Sequence, residues 1–125
     1  MAFADEISEG LTVGGRSTVT VLIDIDVDND LSSAADMHGD TLCGLVLPSN
    51  YTTAAITFQV SVDGTTFAPL YDKDGAITIS ATQAQASRGI KLIPEDFWGF
   101  RYIKIATGSA QTTDDKTIIL VGRTL

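Results

Sequence analysis

Apolar and polar residues alternate along this chain with a period of two, which is the period of a half-buried strand and not of a helix. Val19, Val21, Ile23, Ile25 and Val27 share one face of a strand expected over 17–27, with Thr18, Thr20, Leu22, Asp24 and Asp26 on the other. Ile56, Phe58, Val60 and Val62 repeat the pattern, and Asp63-Gly64 then signals a hairpin turn, because glycine accepts a positive φ without strain. The strand returning over 66–71 is expected to be short, bulged or at an edge, since Pro69 has no N–H to donate. Asp74-Gly75 marks the next turn, followed by runs over 76–81, 90–92, 102–106 and 116–121. A run over 41–47 adds another strand, and 11–13 adds a short one. Helix is scarce. Pro94 at a first helical position, followed by Glu95 and Asp96, predicts a single helical turn near 94–98. Residues 81–86 lack an apolar stripe and read as a loop, and the polar stretch 28–40 reads as a long surface loop.

About eight short strands separated by turns predict an all-β, single-domain, antiparallel β-sandwich. With 3 prolines and 1 cysteine, a jelly-roll-like arrangement fits better than a disulfide-linked immunoglobulin domain. The length of 125 residues is that of one domain. It divides into a flexible acidic arm over 1–10 and a sandwich over 11–125.

Composition narrows the chemistry. The single cysteine excludes an intrachain disulfide framework, and with the single histidine it excludes Cys/His structural zinc. No apolar run approaches the length of a membrane span, so no membrane partner is expected. The N-terminus is acidic and lacks an apolar core, unlike a signal peptide, which points to synthesis in a cytoplasm. Charge is uneven. Residues 1–40 hold nine acids and one base, Arg16, whereas the rest of the chain holds seven of each, so the net −8 arises in the first third. Such a chain repels phosphate backbones, and nucleic acid is not an expected partner.

Catalytic constellations are thin, and no cofactor is expected. His38 is flanked by Asp36 and Asp40 on the predicted loop, and Cys43 lies in a predicted strand, where a small buried hydrophobe is the simpler role. Asp24, Asp26 and Asp28 alternate like ligands on one strand face and are a weak candidate for a hard cation. Counted as an EF-hand loop from Asp24, however, the sixth position is Asn29 and the twelfth Ala35, where glycine and glutamate are required. Phe97, Trp98, Phe100 and Tyr102 cluster in sequence. The cluster reads as a core plug, with Trp98 its exposed member.

The run 56–67 (ITFQVSVDGTTF) with Leu70-Tyr71-Asp72, the run 90–94 (IKLIP), the run 97–105 (FWGFRYIKI) and the closing 117–123 (TIILVGR) resemble small structural proteins of tailed bacteriophages. The likeness spans 54–125. It implies a non-enzymatic capsid decoration, or cement, protein on the outer surface of the virion, a homotrimer bridging subunits of the major capsid protein. On that reading the capsid contacts are Phe3, Asp5, Glu6, Ile7 and Glu9 of the arm, and Asp36, Met37 and His38 of the loop. The hairpin and the Arg101–Ile105 run also resemble galactose-binding-like jelly rolls. The alternative is therefore a carbohydrate-binding β-sandwich module of a phage tail or head fibre, with exposed Trp98 as its platform. A neck or tail-tube protein would carry a similar sequence.

Overall fold

The computed structural model describes residues 16–124, so the arm contacts Phe3, Asp5, Glu6, Ile7 and Glu9, and the short strand expected over 11–13, lie outside the described residues. Eleven strands follow in chain order: β1 Arg16–Ile23, β2 Ala35–Asp36, β3 Thr41–Val46, β4 Ile56–Ser61, β5 Ala68–Pro69, β6 Tyr71–Asp72, β7 Gly75–Ala76, β8 Thr78–Ile79, β9 Gly89–Lys91, β10 Tyr102–Thr107 and β11 Lys116–Arg123. Among the described residues the one helical turn is a 3-10 turn, Pro94–Phe97, opened by Pro94 as the sequence predicts. Among the described residues no helix is long and apolar enough to cross a membrane.

The pairing is nested. β1 pairs with β11, β2 with β10, β3 with β9 and β4 with β8, all antiparallel. The chain is thus folded back on itself once and then rolled into two sheets. One sheet has the order β1-β11-β3-β9. The other has β2-β10-β4-β5, with β8 also on β4. This is the jelly-roll arrangement, which closes a core with short connections and few long edges. The hairpin β6–β7 stands apart as an insertion between β5 and β8.

Alternation decides which side chains fill the space between the sheets. Val21 and Ile23 of β1, Leu42 and Leu45 of β3, Ile56, Phe58 and Val60 of β4, Ile103 and Ile105 of β10, and Ile118 and Leu120 of β11 are buried. Phe97, at the end of the 3-10 turn, inserts edge-on against Phe58 with ring centroids 5.0 Å apart. Such a pair adds about 0.5–1.5 kcal/mol beyond the area it buries. Lys116 is also buried, its stem at a core position and its Nζ donating to the Thr112 carbonyl at 2.8 Å.

Three sequence expectations are corrected. First, the strand from Ser17 ends at Ile23, not at Val27. The Asp24 carbonyl accepts the N–H groups of Val27 and Asp28, and its carboxylate accepts the Asp26 N–H, so a turn wins over continued pairing. Val27 is left 81% exposed. Second, the stretch 28–40 is not a loose surface loop. Ser32, Ala35, Met37 and Asp40 are buried, and β2 lies within it. Third, the strand expected from residue 66 after the Asp63-Gly64 turn begins only at Ala68, so the β4–β5 hairpin has a longer loop. The Asp63 carboxylate collects the N–H groups of Thr65 and Thr66 and the Ser61 hydroxyl. Gly64, at φ +82, lies under the Tyr102 ring, where a Cβ would come within 3.1 Å.

Candidate functional site

One end of the sandwich gathers polar and aromatic groups from segments distant in sequence. Asp36 of β2 lies opposite Tyr102 of β10, which brings Asp36 next to Arg101. The guanidinium grips the carboxylate with two bonds, Nε to Oδ1 at 2.8 Å and Nη2 to Oδ2 at 2.9 Å. Arg101 also stacks over the Tyr102 ring at 5.2 Å. Asp36 Oδ1 accepts the His38 N–H as well, and His38 Nδ1 stands 3.8 Å from Oδ2. The Arg101 bonds, with help from the His38 N–H, hold the Asp36 carboxyl down at about 2, well below the usual carboxylate range. The pair is partly exposed, so it adds little to stability and acts mainly as a geometric clamp.

Beyond Asp36 the chain turns sharply. His38 at φ 54 and Gly39 at φ 86 are both left-handed, and the Asp40 N–H closes the turn on the Met37 carbonyl. Met37 therefore points into the core, and Asp40 follows it inward. Asp40 accepts the Ser17 hydroxyl at 2.5 Å and the Thr124 hydroxyl at 2.7 Å, tying both strands at one end of the β1–β11 ladder to the start of β3. Gly122 makes this approach possible where β3 bulges at Cys43 against β11. A Cβ there would meet the Met37 methyl at 2.8 Å, the Ser17 hydroxyl at 3.2 Å and the Asp40 Cβ at 3.3 Å.

A cleft of about 150 Å³ opens between this turn and the segment after the 3-10 turn, lined by Gly39, Asp40, Thr41, Gly99, Phe100 and Arg101. Trp98 directly precedes Gly99 in the chain and is 57% exposed, whereas Phe97 on its other side is buried. The cause is local. The 3-10 turn commits Phe97 to the core, Trp98 is extended at ψ 133, and Gly99 turns left-handed at φ +85. The side chain between is left outside.

The remaining sequence candidates fall as follows. Met37 is 1% exposed and belongs to the core, which removes it as a surface contact. Asp36 and His38 share the clamp described above. Asp24, Asp26 and Asp28 do not share a strand face, because the strand has already ended. Asp24 and Asp28 each accept a backbone N–H two residues on. Among the described residues no group of three or more His, Cys, Asp or Glu is placed to hold a metal ion. Asp30 is pushed up, chiefly by the Asp28 carboxylate it faces. The Cys43 thiol donates to the Val121 carbonyl at 3.4 Å. Sequence reasoning weighed Asp40 only as a neighbour of His38 and missed Arg101 and Thr41. Only Arg101 carried a signal, as a lone base beside the aromatic run.

No protein-family model matches the chain, and no curated protein matches it. Solved structures show a distant likeness. One is a pectin-binding carbohydrate-binding module, 12% identical, covering 90% of this chain and 76% of that one at a TM-score of 0.37. A second is a carbohydrate-binding module of a family 31 glycoside hydrolase from Clostridium perfringens, 17% identical, covering 96% and 82%, TM-score 0.36. A third is a family 89 glycoside hydrolase from the same organism, 18% identical at TM-score 0.39, of which this chain spans 14%.

Proposed function

We propose that this chain is a non-catalytic recognition module that holds a glycan at the end of the sandwich bearing Trp98. The supporting observation is the 57% exposure of Trp98, whose chain neighbour Gly99 lines a cleft of about 150 Å³. An indole face covers the apolar side of a sugar ring, while fixed polar groups at its margin hydrogen-bond the hydroxyls. Here Thr41, Asp40 and Arg101 line the cleft together with Gly99 and supply such groups. The Asp36 clamp pre-orients Arg101, so less ordering is left to be done on binding. The test is retention on immobilised polysaccharides of neutral hexoses, N-acetylhexosamines and uronic acids. Retention on one class that is lost in Trp98→Ala supports the reading. No retention on any class, or equal retention by the variant, contradicts it.

The second reading is the capsid decoration implied by the likeness over 54–125. It is favoured by exposed apolar side chains that do not line that cleft, namely Val27 and Val62. A sugar site has no use for them, whereas a protein interface buries such residues. The copy number of the chain in purified virions, measured against the major capsid protein, decides it. A simple ratio supports decoration, and absence removes it. A few copies would place a glycan-binding module on tail or fibre.

A further inference from the structure

The two sheets part along the side where β9 and β8 run. Between them lies a cleft of about 450 Å³ whose walls include Ile77 and Ile79 on one side and Ile90 and Leu92 on the other, with Phe58 of the core lining it as well. β9 ends its sheet and pairs only with β3. Its bonding parity is fixed. The Leu47 N–H donates to the Arg88 carbonyl and the Leu92 N–H to the Cys43 carbonyl, with Ile90 opposite Leu45 between them. Residues 88, 90 and 92 therefore bond inward, and the N–H and C=O groups of Gly89 and Lys91 point to the open edge. No other strand covers that edge among the described residues.

Charge selects the occupant. Lys91 is exposed on this edge and takes part in no ion pair among the described residues. Arg88, at the start of the strand, is held on the carbonyls of Thr82 and Gln83, not on a carboxylate. The nearest acid among the lining residues, Asp96, lies beyond Ile93 on the following turn. Two copies paired through β9 would bring these like charges together, which disfavours self-association.

We propose that the open edge of β9 receives an extended segment of a partner protein in which apolar residues alternate with acidic ones. Its backbone bonds Gly89 and Lys91, its apolar side chains enter the cleft beside Ile90 and Leu92, and its acids, on the opposite face, meet Lys91. Strand addition of this kind takes affinity from main-chain bonds and selectivity from alternate side chains.

The probe is a capped seven-residue peptide alternating valine and glutamate, titrated into the full chain and read by NMR. Controls alternate valine with lysine and serine with glutamate. At peptide ten times its Kd, exchange of the Gly89 and Lys91 amides slows about tenfold, with shift changes confined to 77–79 and 88–93. Both controls bind more weakly. Gly89→Pro removes the outward N–H without touching the β3 ladder, and abolishes binding. Lys91→Glu keeps the N–H and switches preference to the lysine peptide, so it decides the matter even where the proline variant does not fold. No protection at millimolar peptide, or binding unaltered in both variants, overturns the proposal. So does a dimer of the free chain that Gly89→Pro dissociates, since the occupant would then be a second copy.

Discussion

The two long sides of this sandwich are finished in opposite ways. On one side, the segment after β1 crosses between the sheets and is sewn to both. Ser33 bonds Leu22 of β1 through its backbone and its hydroxyl, and Ser32 exchanges bonds with Ile105 of β10. On the other side, β9 and β8 leave a gap lined by isoleucine and leucine that reaches Phe58. Polar residues close the first side because each finds a backbone partner, and the second stays open because its short strands run out first. The lesson is that hydrophobicity does not tell covered from uncovered here. What differs is whether the backbone's donors and acceptors have been used.

Truncation should break this contrast most sharply. Met37→Ala, on the sewn side, is expected to lower stability by about 2–5 kcal/mol, as for other buried large-to-small changes. Ile93→Ala, on the open side and 62% exposed, should stay within about 0.5 kcal/mol of the parent. Chemical denaturation of the two variants checks both. Next comes Ser32→Ala, which strips a buried N–H of Ile105 of its acceptor. A loss of about 1–3 kcal/mol is expected, with faster exchange of the Ile105 amide but not of amides on β9.

The smallest effect is that of acid. Asp36 and Asp63 are both held down at about 2, Asp36 chiefly by Arg101 and Asp63 chiefly by the Thr66 and Thr65 N–H groups. Groups with depressed values stabilise the fold fully above their ordinary carboxyl value, and that contribution fades as pH falls from about 4 through 2. The melting temperature should therefore drop across that window. Arg101→Gln should flatten part of the drop without affecting the Asp63 part. An unchanged profile in the variant would show that the Asp36 clamp does not stabilise the fold.

Period-two alternation located β1, β4, β10 and β11, because each buries one face and the pleat leaves no choice about which residues point inward, whereas β3, buried on both faces over Thr41–Leu45, showed only as an apolar run. The alternation overran at Asp24, where a carboxylate bonding its own backbone ends the strand despite an apolar Ile25 and Val27. It also failed over 28–40. Ser32 and Asp40 look solvent-directed in sequence, and their burial depends on Ile105, Ser17 and Thr124, up to 84 residues away. The site divides in the same way. Trp98 was legible from its aromatic neighbours and the proline-led turn. Its polar margin was not, because Arg101 meets Asp36 only through the β2–β10 pairing, 65 residues apart in the chain.

Trp98 is the only tryptophan, so its emission reports one position. The most direct measurement is that emission during titration with oligosaccharides of the three classes, with Tyr71→Ala as a control for the other well-exposed aromatic among the described residues. The account predicts a saturable spectral shift with one class, unchanged in Tyr71→Ala and weakened in Arg101→Gln. Emission that stays constant with every class, up to concentrations where weak sugar sites saturate, would contradict it.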